Sequence, residues 1–204
     1  MISFERIAGY CALATGIGGF LYSVAFVVVT RPAPAFGAGL SWGILLVGSL
    51  LTIPVLVALY ERLSEASRGA AMVALLLTVI GSVGAATHAG YEVANLVHLG
   101  QVPASELPSQ IDPRGLLTFG VTGLGVLVFA WLMRSSPHFP SGLSRLAMLA
   151  GALLIVVYLA RLIIFSPTNP IVLAGAGLTG FIVNPAFYVW LGRILLSGGR
   201  SQTA

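Results

Sequence analysis

Six apolar runs, separated by short clusters of proline, serine and charge, organise this chain. They are Ile7–Val29, Trp42–Tyr60, Ala70–Val97, Gly115–Met133, Leu143–Phe165 and Pro170–Leu196. Each approaches or exceeds the roughly 20 residues a helix needs to cross a bilayer. Arg31-Pro32-Ala33-Pro34 ends the first run, and Glu61, Arg62, Glu65 and Arg68 occupy the second gap. Pro103, Pro108 and Pro113 stiffen the third gap, Ser135-Ser136-Pro137 and Pro140 mark the fourth, and Pro167-Thr168-Asn169-Pro170 the fifth. Asp112-Pro113 and Asn169-Pro170 read as helix starts, a capping side chain followed by proline in the first turn. The pattern predicts an all-α fold: a single polytopic bundle of six transmembrane helices.

Composition strengthens that reading. Of 204 residues, 57% are hydrophobic and only 8% are charged, whereas a soluble domain carries about 25% charge. So little charge could not cover a globular surface in water, and no stretch outside the runs is long enough for a second domain. The ten basic residues are all arginine. They are scattered beside the runs rather than clustered, so the net charge of +4 does not point to nucleic acid. The lone cysteine, Cys11, lies inside the first run, which excludes an intramolecular disulfide and a thiolate metal cluster.

Orientation follows from the arginines. An even number of crossings puts both termini on one side, with Arg6, Arg62, Arg68, Arg134, Arg145, Arg193 and Arg200. Arg31 and Arg114 fall on the other side, and Arg161 lies within a run. The positive-inside rule then places both termini in the cytoplasm. The first run exceeds the 7–15 apolar residues of a signal peptide, and Glu5 offsets Arg6 ahead of it, so it reads as a retained helix rather than a cleaved leader.

Helix association in lipid relies on close packing, and small residues four apart offer seams for it: Ala12 and Gly16, Ala14 and Gly18, Gly81 and Ala85, Ala147 and Gly151, Ala176 and Gly180. Pro54 and Pro185 lie inside runs, where each would free the carbonyl four residues back, on Leu50 and Phe181. Thr15-Gly16-Ile17-Gly18 echoes Thr122-Gly123-Leu124-Gly125, and an inverted three-plus-three repeat of the kind transporters use is weighed against chance similarity in Gly/Leu/Ala-rich sequence.

One stripe breaks the apolar monotony. His88, Tyr91, Glu92, Asn95 and His98 fall on one side of the third helix, and Glu92 is the only acid outside an evident loop or terminus. Ionisable groups in hydrocarbon are costly and mark functional positions. Arg161 is the natural partner for Glu92, as a structural ion pair or as a proton or charge-binding site, and the repeat alignment would set Asn184 opposite His88. The candidate polar site is therefore His88, Tyr91, Glu92, Asn95, Arg161 and Asn184. His88 and Glu92 stand at a spacing that offers two metal ligands, with His98 or Asp112 as a third, but no His-Glu-x-x-His signature is present. No cofactor is expected. Segment 98–113, on the same predicted side, reads as a lid over an outward cavity or as a plain linker. Walker A, Gly-x-Ser-x-Gly and dinucleotide signatures are absent from the sequence, and the Gly-rich stretch 175–180 sits in a predicted membrane helix.

Three stretches carry a resemblance: Glu5-Arg6-Ile7-Ala8-Gly9 entering the first helix, Ile111-Asp112-Pro113-Arg114-Gly115-Leu116-Leu117-Thr118-Phe119 opening the fourth, and Phe187-Tyr188-Val189-Trp190-Leu191-Gly192-Arg193 closing the sixth. Together they resemble uncharacterised multi-pass integral-membrane proteins of bacteria. The resemblance implies a bacterial plasma-membrane location and brings no activity and no functional residues. The leading expectation is a non-enzymatic membrane subunit or interaction protein, its partners the lipid bilayer and further copies of itself or other membrane subunits. The alternatives are a small transporter or channel with an outward-facing site at Glu92 and Arg161, and a metal-binding membrane enzyme using His88 and Glu92.

Overall fold

A computed structural model describes residues 3–98, 115–164 and 169–198, apart from the Arg161 side chain, and all of their regular structure is helical. Helix α1 (Phe4–Val24) continues into a π-helical stretch, Ala25–Val29. Helix α2 spans Pro34–Val97. Another π-helical stretch, Leu116–Val121, leads into α3 (Thr122–Ser135), and α4 follows at Ser141–Ile163. Helix α5 (Pro170–Gly177), a π-helical stretch at Leu178–Val183 and α6 (Asn184–Gly198) form one continuous rod. Five helices are long and apolar enough to cross a membrane: Phe4–Val29, Pro34–Val97, Leu116–Ser135, Ser141–Ala160 and Pro170–Gly198. The expected Asp112-Pro113 cap, Arg114, Arg200 and the body of the 98–113 segment lie outside the described residues.

The starts have local causes. Ser3 caps α1 by accepting from the Arg6 backbone N–H at 3.4 Å, with Glu5 in the first turn to meet the helix dipole. Asn169 Oδ1 accepts from the Ile171 N–H at 2.9 Å and Pro170 occupies the first turn, as expected from the sequence. The second gap differs from expectation. Helix α2 runs through Glu61, Arg62 and Glu65, because glutamate, arginine, leucine and alanine are good helix formers and no glycine or proline interrupts them. Only Ser67, with φ −165° and ψ 103°, leaves helical conformation. There α2 folds back: Trp42 stacks on His88, which places the 34–66 arm beside the 68–97 arm. Pro54 is carried without a break in helical dihedrals, and Pro185 follows directly on a π-helical stretch that absorbs the disturbed hydrogen bonding.

The rods form a ring of neighbours. Helix α1 packs on α2 and on α6; α2 packs on α3; α3 on α4; and α4 on the α5–α6 rod. Glycines set the closest approaches. A Cβ placed on Gly192 would stand 2.8 Å from the Gly9 carbonyl, and one on Gly123 would stand 2.8 Å from the Gly151 carbonyl. Two backbones thus touch at α1–α6 and at α3–α4, as small residues permit. Of the expected seams, Ala12/Gly16 faces Pro185 and Val189, Gly81 faces Leu117 and Thr122, and Ala147/Gly151 faces α3. Gly180 meets Ser23 while Ala176 is exposed. The Ala14/Gly18 pair departs from expectation: it lines an open apolar groove of about 390 Å³ with Gly39, Gly43 and Gly48 of α2.

The interior is unequal along the bundle. The end that carries residues 3 and 198 is called here the termini end, and the other the far end. Leu59, Leu63, Phe129, Met133, Leu143, Leu191 and Leu195, all in the termini half, are the bulkiest fully buried apolar side chains. The same end is tied by charge. Arg62 Nε donates to Glu5 Oε1 at 2.5 Å and the guanidinium sits 5.7 Å from the Phe139 ring centre. His138 Nε2 lies 3.3 Å from Glu65 Oε2.

Candidate functional site

The far half holds the ionisable pair. His88 and Glu92 are one turn apart on the second arm of α2, so both project from one face. His88 Nε2 lies 3.8 Å from Glu92 Oε1, and their side chains are 21% and 20% exposed. That separation exceeds hydrogen-bond reach but keeps the two groups as electrostatic neighbours. Trp42, on the first arm, stacks on the imidazole with ring centres 5.2 Å apart and planes 29° apart. An aromatic wall continues from there: Phe26 meets Trp42 edge-on at 5.9 Å and stacks on Tyr22 at 5.8 Å, and Tyr22 lies 6.3 Å from Trp42.

Three segments position this group. Tyr22 ends α1 immediately before its π-helical stretch, which widens the helix there and carries Phe26. The tight turn at 30–33 returns the chain into α2, and Gly37 is seated so closely on the Thr30 backbone that any Cβ there would collide. The fold-back at Ser67 then brings His88 level with Trp42. Imidazole, carboxylate and π faces together suit a proton or a cation, since aromatic faces and a carboxylate both attract positive charge.

The remaining predicted members are dispersed. Tyr91 and Asn95 are half-buried on the same arm, and Asn95 Nδ2 is a buried donor without a hydrogen-bond partner. His98 is exposed at the C-terminus of α2. Asn184 opens α6, half-buried, and is not a described partner of His88 or Glu92. Arg161 belongs to α4, but its side chain lies outside the described residues, as does Asp112. Among the described residues no three His, Cys, Asp or Glu side chains converge as a metal site would require.

Tyr22, Phe26 and Trp42 were not foreseen as members of the site. Their signal is faint: Tyr22 and Phe26 are four apart, the spacing of same-face residues, but both sit in an apolar run where aromatic residues are ordinary. Around the site, the buried residues of the far half include the small or hydroxylic Ser23, Ser41, Ala85, Ala89, Thr118 and Thr179, alongside the apolar Val157, Val172 and Val183. Several hydroxyls bond carbonyls of their own helix, Ser23 to Gly19 at 3.1 Å, Ser41 to Ala38 at 2.8 Å and Thr179 to Gly175 at 2.7 Å. No protein-family model, curated protein or solved structure matches this chain.

Proposed function

We propose that this chain is an integral protein of the bacterial plasma membrane that crosses the bilayer six times with both termini in the cytoplasm, and that its outer half binds a small polar or cationic solute. Six crossings are favoured because each arm of α2, 34–66 and 68–97, rises well over the roughly 30 Å hydrocarbon thickness at 1.5 Å per residue. The orientation is favoured by Arg6, Arg62, Arg68, Arg134, Arg145 and Arg193 at the termini end, against Arg31 at the far end.

The observation that carries the solute site is the split interior. The bulkiest fully buried apolar side chains lie in the termini half, whereas the far half holds His88 and Glu92 and, beside buried valines, Ser23, Ser41, Thr118 and Thr179. A sealed inner half beneath a polar outer half is the arrangement of an outward-facing transporter or channel. Three π-helical stretches, all in the far half, agree with it, because such stretches are frequent at functional sites.

A second reading, a non-enzymatic subunit whose polar stripe only ties helices together, is favoured by the hydroxyls that bond within their own helices and by the His88–Glu92 pairing. Thiol labelling separates the two. In a Cys11→Ala background, Ser41→Cys in the far half and Ser144→Cys in the termini half are exposed to a membrane-impermeant maleimide from outside intact cells. The solute-site reading expects labelling at 41 and none at 144. No labelling at either position in the folded protein leaves the structural-subunit reading in its place.

A further inference from the structure

We infer that the seam between α4 and α6 at the termini end is a binding site for the headgroup of an anionic phospholipid, built from Arg145, Trp190 and Arg193. Gly142 makes the seam. A Cβ placed on it would stand 2.7 Å from Trp190 Cη2, so the indole of α6 fits against α4 only because residue 142 has no side chain. Trp190 remains 39% exposed. Arg145 is one turn beyond Gly142 on α4, and Arg193 one turn beyond Trp190 on α6, so each shares the side of its helix that borders the indole.

Both arginines are exposed, and neither has a carboxylate partner among the described residues. Arg62 of the same end is different: Glu5 and Phe139 already engage it. Two unengaged guanidiniums flanking an exposed indole, at the end of apolar helices, match a lipid in three respects. The planar guanidinium forks take phosphate oxygens in pairs. The indole prefers the headgroup boundary. The apolar helix surfaces below, with Leu149 and Val156 exposed on α4, take the acyl chains. All basic residues of the chain are arginine, the side chain suited to phosphate rather than to diffuse attraction. A zwitterionic headgroup would bring its own ammonium against the arginines, so the site selects net negative lipids.

The inference rests on the membrane reading but not on the solute site. The test uses full-length protein in nanodiscs of phosphatidylcholine containing either brominated phosphatidylglycerol or brominated phosphatidylcholine as the quenching lipid. The Trp190 signal is the difference between wild type and Trp190→Phe. Brominated phosphatidylglycerol is expected to quench that signal at least about twice as strongly as brominated phosphatidylcholine. The double variant Arg145→Gln/Arg193→Gln is expected to abolish the difference. Arg31→Gln/Arg68→Gln, which removes the same charge elsewhere, is expected to keep it. Equal quenching in wild type, a preference that survives Arg145→Gln/Arg193→Gln, or one lost equally in the control pair overturns the site. A preference removed by inorganic phosphate in the buffer means a free-phosphate site and overturns the lipid assignment. Protein that fails to enter nanodiscs refutes the membrane reading itself and is recognised by its separate elution.

Discussion

The two ends of this bundle solve the same packing problem with different materials. At the termini end, Phe129, Met133, Leu59, Leu63, Leu143, Leu191 and Leu195 interlock, α1 touches α6 at Gly9 and Gly192, and Glu5–Arg62 and Glu65–His138 pairs close the rim. At the far end the same rods bury valines together with small and hydroxylic residues, loosen into three π-helical stretches, and hold a histidine, with a glutamate one turn on, against an aromatic ring. Lipid offers no hydrophobic drive to bring helices together, so packing density itself is the stabilising term. Stability is therefore expected to concentrate at the termini end and adaptability at the far end.

Substitutions can break this comparison. Phe129→Ala empties the largest fully buried position and is expected to cost about 4 kcal/mol, read as a lowered unfolding midpoint in detergent. A loss as large from Trp42→Ala at the far end would show that the two halves are equally rigid. Gly123→Val, at a backbone contact, is expected to cost about 3 kcal/mol by overpacking. Gly43→Ala, where a Cβ meets nothing within 4 Å, is the matched control and should leave the same midpoint unmoved. Arg62→Gln strands Glu5 and removes the contact over Phe139. Because both partners keep some solvent access, with side chains 16% and 27% exposed, the expected loss is about 1 kcal/mol and should shrink in high salt. The smallest effect belongs to Ser41→Ala. Its hydroxyl bonds only the Ala38 carbonyl of its own helix, so removing it should change stability by less than about 0.5 kcal/mol. A larger loss would mean that Ser41 is engaged across helices and that the far interior is closed.

The sequence was informative where the physics is local. Runs of apolar residues, the Asn169-Pro170 cap and the polar stripe on one helix face depend only on neighbours in the chain, and they stand where the spacing predicts. The Glu61–Arg68 gap was misjudged because charge was read as loop, whereas these residues continue a helix and a single serine makes the turn. The Gly9–Gly192 contact was illegible: neither glycine has a small residue four positions away, and each finds its partner at the opposite end of the chain. The π-helical stretches have no compositional mark at all. The site was half legible. His88, Tyr91, Glu92 and Asn95 share an arm of α2 as the helical spacing requires, but Trp42, Phe26 and Tyr22 join His88 only through tertiary folding.

The contact between Gly9 and Gly192 has a consequence for how the protein is made. Synthesis runs from the N-terminus, so α1 is made well before α6, its partner in one of the close backbone approaches of the ring. Until then the small-residue strip of Ala8, Gly9, Ala12 and Gly16 has no permanent neighbour on that side. That side of the ring closes only as α6 arrives, and chains that stop short of Pro185 leave this surface of α1 open to quality control.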